Sequence, residues 1–244
     1  DNNEIRDISS LSGLINLEYL YLFDNQISDV SALSGLNNLS WLELCQNEIT
    51  DISALSGLTN LYFLNLTSNK ISDVSPLSQL TDLPWLFLGN NRLSDINALS
   101  SLTKLKTLTI GNNQISDISV LSGLTCLEDI YLADNQITDI SALSGLTKLR
   151  YLWLENNQIS DLGALSGLVD LKNLTLNNNQ ISSIEELSGL TELNWLKLDD
   201  NKIEDLNPLF TLDNLEYLSL RNNPVDDDDV DDLYQALPNC SIYY

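Results

Sequence analysis

Apolar side chains return at fixed intervals along this chain. In residues 33–54, LSGLNNLSWLELCQNEITDISA, leucine or isoleucine fills places 1, 4, 7, 10, 12, 17 and 20. The same arrangement starts again at Leu11, Leu55, Leu77, Leu99, Leu121, Leu143, Leu165, Leu187 and Leu209, always 22 residues apart. Places 10 and 12 alternate with their neighbours, which predicts a short strand with places 9, 11 and 13 facing away from the core. Seven apolar residues cannot bury one another within so short a coil, so neighbouring coils must stack into one continuous core and stability belongs to the array.

The pattern divides the chain. Residues 1–10 match the second half of a unit, nine full repeats cover 11–208, a degenerate tenth covers 209–225, and 226–244 form a C-terminal cap. Within that cap a helix is expected from Asp229 to Leu237 and a last strand in PNCSIYY. The chain starts in mid-repeat, so the first core end is exposed unless preceding residues cover it.

Two polar places are as regular as the leucines. Place 15 is asparagine at Asn3, Asn25, Asn47, Asn69, Asn91, Asn113, Asn135, Asn157, Asn179, Asn201 and Asn223. An inward-facing carboxamide satisfies backbone groups where the coil turns away from its strand. Place 19 is aspartate from Asp7 to Asp161 at every repeat, then Ser183, Asp205 and Asp227. Carboxylates just ahead of a short helical turn are suited to cap it.

The unit LSGLTNLxxLxLxxNxISDISA resembles the leucine-rich repeat, in the 22-residue class found in bacterial internalins and in a regulatory subunit of type-1 protein phosphatase; the match covers about nine-tenths of the chain. The resemblance implies an α/β solenoid: a leucine-rich repeat horseshoe with a parallel β-sheet on its concave face and short 3-10 or irregular turns on its convex face. The LPNC ending with its β-rich tail is similar to the closing segment of some bacterial members.

The net charge of −24, from 35 acids and 11 bases, opposes nucleic acid and anionic membranes, because the phosphate attraction becomes repulsion. It also keeps a long solenoid soluble. No apolar run approaches the 18 or so residues of a membrane span, and no signal peptide is visible. The expected molecule is a monomer without membrane insertion, placed outside the cell or on its surface in preference to the cytoplasm. Cys45 and Cys126 fall four repeats apart, roughly 19 Å at the strand spacing and beyond disulfide reach.

Chemistry is sparsely provided for. The chain has no histidine, which removes the usual base for a serine or cysteine nucleophile and all His-based metal sites. Asp129 and Glu155, the non-repetitive carboxylates, are placed roughly 13 Å apart, too far for a glycosidase pair. The run DDDDVDD, Asp226 to Asp232, has hard-cation ligands without a calcium loop's spacing or turn glycine, and suits a helix start near the dipole. No enzyme activity, metal or cofactor is expected.

The aromatics are placed differently. Of 17, 12 occupy places 9, 11 and 13, including all four tryptophans. Exposed aromatic patches mark interaction surfaces. The expected partner-binding face is therefore Tyr19, Tyr21, Phe23, Trp41, Phe63, Trp85, Phe87, Thr107, Thr109, Tyr131, Tyr151, Trp153, Trp195 and Tyr217. The two threonines are included because repeat five offers only Thr107, Thr109 and Gly111 between bulkier neighbours, a recess. Stacking between strands, as Trp41, Phe63 and Trp85 allow, is the competing account of the rings. Five bases, Lys104, Lys106, Lys148, Arg150 and Lys172, run along one edge at places 6 and 8, and either meet an acidic partner rim or are scattered solvated charges. The resulting reading is a non-enzymatic module that binds another protein on the concave aromatic face, with an internalin-like surface or host-interaction role implied by the resemblance. The alternatives are a cytoplasmic scaffold similar to the phosphatase regulatory subunit and a carbohydrate-binding surface protein.

Overall fold

The computed structural model describes residues 3–244 and divides into two compact units, the first ending at Leu127 and the second running from Glu128 to Tyr244. The first two residues of the expected half repeat lie outside the described residues. In the first unit five strands follow one another: β1 (Tyr19–Tyr21), β2 (Trp41–Glu43), β3 (Phe63–Asn65), β4 (Trp85–Phe87) and β5 (Thr107–Thr109). They pair in parallel and in register, Tyr19 with Trp41, Trp41 with Phe63, Phe63 with Trp85 and Trp85 with Thr107. The second unit carries β6 (Asp129–Tyr131), β7 (Tyr151–Trp153), β8 (Asn173–Thr175), β9 (Trp195–Lys197), β10 (Tyr217–Ser219) and β11 (Ser241–Tyr243), also parallel. Register follows the 22-residue period, because a slip of one residue would turn every leucine outward.

Each coil returns to the next strand through a 3-10 turn, such as Ser53–Leu55 in the first unit and Gly163–Leu165 in the second. Parallel strands need a crossover, and three to five residues of 3-10 helix suffice here because stacked coils lie one strand spacing apart. This is the fold class that the repeat implies. The seven apolar places fill the interior: Leu33, Leu36, Leu39, Leu42, Leu44, Ile49 and Ile52 are all buried, and so are their counterparts in the full repeats that follow. The first coil differs, since Leu14 is 48% exposed where Leu36 and Leu58 are fully buried.

The asparagine place is a hydrogen-bond ladder. Asn47 Oδ1 accepts from the Ile27 amide at 3.0 Å, while its Nδ2 lies 2.9 Å from the Leu22 carbonyl and 3.1 Å from that of Leu44. One side chain thus satisfies the turn of its own coil and of the coil before it. Asn69 and Asn201 repeat the pattern.

Aspartates at place 19 act differently from a conventional cap. Asp51 Oδ1 accepts from the Ser53 amide at 2.8 Å, and the residue flanking the 3-10 turn is Ile52, whose side chain is buried. The carboxylate therefore reaches over the flanking residue to the first amide of the turn, because the flanking place belongs to the core. Such bonds hold the carboxyls of Asp7, Asp29, Asp51 and Asp117 below their ordinary value. Asp227, next in the series, lies inside a helix instead.

That helix, α1 (Asp227–Ala236), begins two residues before the expected Asp229. The Asp226 carboxylate accepts from the Asp228 amide at 2.9 Å, and Asp227, Asp228 and Asp229 fill the first turn. Val230, Leu233 and Leu237 are buried, and the Tyr234 hydroxyl donates to the Ile242 carbonyl at 3.0 Å.

Place 14, ahead of the asparagine, has left-handed backbone at all ten of its described residues, with φ between 54° and 58°. Asparagine or aspartate occupies eight of them, the exceptions being Gln46 and Ser68. Short polar side chains tolerate this region because they bond locally.

Candidate functional site

Places 9 and 11 stand on the face of the sheet away from the leucines, since the middle residue of every strand is buried and the flanking ones are more accessible. In the first unit Trp41 lies flat on Phe63, centroids 3.8 Å apart and planes 1° from parallel, and Phe63 continues to Phe87 at 5.1 Å. Trp85 meets Tyr62 edge-on at 4.4 Å. Tyr62 is at place 8, outside the three aromatic columns at places 9, 11 and 13, and 49% exposed. Tyr19 and Tyr21 are also exposed, and Phe23 is half-buried.

Polar side chains accompany these rings on the same face. Glu43 accepts from the Trp41 indole at 3.3 Å and from the Asn65 amide group at 3.2 Å. Thr107 and Thr109 are half-buried, and the position of a Cβ on Gly89 would lie 3.5 Å from the Thr109 methyl and 3.4 Å from the Gly111 carbonyl. At this end of the first unit the surface is floored by backbone and methyl groups.

In the second unit Tyr131 stacks on Trp153 at 3.9 Å, with Tyr151 5.9 Å from the same indole. Partial burial raises the Tyr131 phenol above its ordinary value, with the Asp129 charge adding to the effect. Trp195 stacks on Tyr217 at 3.8 Å, and Tyr217 continues to Tyr243 at 5.2 Å. Tyr243, on the last strand, was not among the expected face residues. The Lys197 ammonium lies 5.6 Å from the Trp195 centroid, and the Arg221 guanidinium 5.1 Å from that of Tyr243, within cation–π range.

The expected residues are thus gathered on the strand face of each unit, and interstrand stacking accounts for part of their placement. Thr175 departs from the outward-facing expectation: it is only 6% exposed, because Glu155 folds over it and accepts from its hydroxyl. Ser219 is buried in the same way beneath Asp199. The basic edge is partly neutralised. Lys104 pairs with Asp82 at 2.5 Å, and Arg150 and Lys172 share a shallow depression with Asp170 and Glu192.

The three cysteines are free and half-buried, and burial pushes the Cys240 thiol up to about 11. Among the described residues no three acidic or cysteine side chains converge as a metal site, and no helix is long and apolar enough to cross a membrane.

The family model described as leucine-rich repeats, two copies, matches residues 1–35, 37–79, 85–123, 125–167 and 147–189. Among solved structures the chain is similar to an internalin (inlF) of Listeria monocytogenes: 37% identity, 99% of this chain and 78% of that one, TM-score 0.85. An internalin C2 of the same organism is 40% identical over 70% of this chain and 75% of that one, TM-score 0.69. A leucine-rich repeat protein of Leptospira interrogans is 28% identical over 100% of this chain and 71% of that one, TM-score 0.89. No curated protein matches the chain.

Proposed function

We propose, since this chain belongs to the leucine-rich repeat family and is internalin-like, that its aromatic strand face holds another protein. Leucine-rich repeat arrays are protein–protein interaction modules, and the finer reading concerns where and whom this one binds. One observation carries it: paired rings in each unit stand on the strand face rather than in the core, Trp195 among them 36% exposed, and Tyr19 and Tyr21 on the same face are 57% and 48% exposed. Stacking holds such rings in place before a partner arrives, which lowers the ordering cost of association. Aromatics of this kind dominate interface energetics.

The partner is a surface protein of a host cell, met outside the bacterium or at its surface. The internalin likeness supports both statements, and the face acts by recognition without chemistry. The test compares proteins captured from a host surface extract by the wild type and by a Trp41→Ser/Trp153→Ser variant, with melting followed in parallel. A partner retained by the wild type and lost by a folded variant is expected. Equal capture by both proteins, with both folded, removes the aromatic face from the binding reaction.

A further inference from the structure

We propose that the strand face of the second unit contains a slot for one neutral pyranose ring of an oligosaccharide, walled by Trp153 and Trp195. Trp153 is backed by Tyr131 on β6, at 3.9 Å and 10° from parallel, and Trp195 by Tyr217 on β10, at 3.8 Å and 5°. Each backing ring lies on the far side from β8, the strand between the two walls. The unstacked faces of both indoles therefore turn toward β8, where Asn173, Thr175 and Asn177 are too short to fill the gap. A recess of about 370 Å³ results, at the small end of ligand sites. The walls stand diagonally, since Trp153 is level with Thr175 and Lys197 and Trp195 with Asn173 and Tyr151. Two strand spacings and two residues of rise separate their Cα positions, roughly 12 Å, enough for one ring that leans on an indole at each end.

The floor and ends select the ring. Asn173 and Asn177 offer amide groups, the Thr175 hydroxyl being taken by Glu155, and the buried Oδ1 of Asn177 has no hydrogen-bond partner among the described residues. Rotation of that amide brings an unused acceptor to the slot. Glu155 and Lys197 also line the recess. On a chain of net charge −24 the slot itself is balanced, so Lys197 opposes a guanidinium or ammonium guest and Glu155 opposes an acidic one. An apolar side chain would strip water from these groups and return no hydrogen bond. A neutral sugar meets all three requirements: its C–H faces lie on indole and its hydroxyls bond amides, carboxylate and ammonium. The assignment does not rest on the protein-partner reading, since a free oligosaccharide is titrated with no protein present; a protein seated on Trp153 and Trp195 would compete with it for the slot.

The test titrates the full chain with cellotetraose, maltotetraose and chitotetraose, following the four tryptophan indole N–H signals by NMR, with tetragalacturonate and tetra-arginine as charged controls. At least one neutral sugar should shift Trp153 and Trp195 saturably while Trp41 and Trp85 stay in place. Asn173→Trp, which fills the slot, and Asn177→Ala, which removes the acceptor without adding bulk, should each weaken binding, the first by about tenfold or more. The proposal is overturned if no neutral sugar shifts the pair, if all four indoles respond alike, or if tetra-arginine binds the pair more tightly than any sugar. It is also overturned if both folded variants keep wild-type affinity.

Discussion

Trp195 lies flat on Tyr217, ring centroids 3.8 Å apart and planes 5° from parallel. The two residues are direct partners across β9 and β10, so the proposed binding face and the sheet share one pair of rings. A double-mutant cycle with Trp195→Ala and Tyr217→Ala, read by urea unfolding, should give a coupling of about 0.5 to 1.5 kcal/mol. A coupling near zero would mean that contact between the two rings contributes nothing to the fold.

Asn157 should be costlier to remove than any residue of the aromatic face. Its Oδ1 accepts from the Ile137 amide at 3.0 Å and its Nδ2 serves the Leu132 and Leu154 carbonyls, both at 3.1 Å. Asn157→Ala orphans buried groups in two coils, each at about 1 to 3 kcal/mol. Trp153→Ala should lose less, and denaturant midpoints decide between them.

Gln46 carries a long side chain at φ 55°, where most equivalent residues are asparagine or aspartate. Left-handed backbone costs an ordinary L-residue about 1 to 2 kcal/mol. Gln46→Gly is therefore expected to raise stability by about 1 kcal/mol, and Asn178→Ala to lower it. A lower melting temperature for Gln46→Gly would show that unfolded-chain entropy outweighs the strain.

The lowered carboxyl of Asp117 stems chiefly from its bond with the Ser119 amide. A folded-state pKa below the unfolded one stabilises the fold fully above the ordinary carboxylate range near about 4, and this is lost as pH falls through the lowered value. Asp117→Ala should thus melt below the wild type at pH 7, and the gap should close on acidification to about pH 2. The shared background of other acids cancels in the comparison. A constant gap would assign the effect to packing.

The sequence reveals whatever repeats. The strands, the buried leucines and the role of Asn47 follow from a fixed period, because each is a local response to a place in the coil. Left-handed backbone at place 14 is equally legible, since short polar residues recur there, as at Asn90, Asn112 and Asn156. Other features depend on one long side chain and have no periodic trace. Glu155 folding over Thr175 is such a case, and so is Tyr62 leaning from place 8 onto Trp85. The helix start moved to Asp227 because one carboxylate, Asp226, found an amide, a choice that adjacent aspartates make ambiguous.

Within each unit the asparagine bonds run at constant offsets: Asn69 to Ile49 and Leu44, Asn201 to Ile181 and Leu176, twenty and twenty-five residues back. No bond of this set refers to an absolute position, so a crossover between equivalent codons of two repeats yields a longer or shorter chain with every carboxamide still seated. An insertion of three residues has no such freedom, because it moves a donor away from its acceptor on both sides of the break. Genes of this kind can therefore change the length of the array by whole coils and retain a folded product, which makes the number of coils, and with it the extent of the proposed binding face, the property most open to selection.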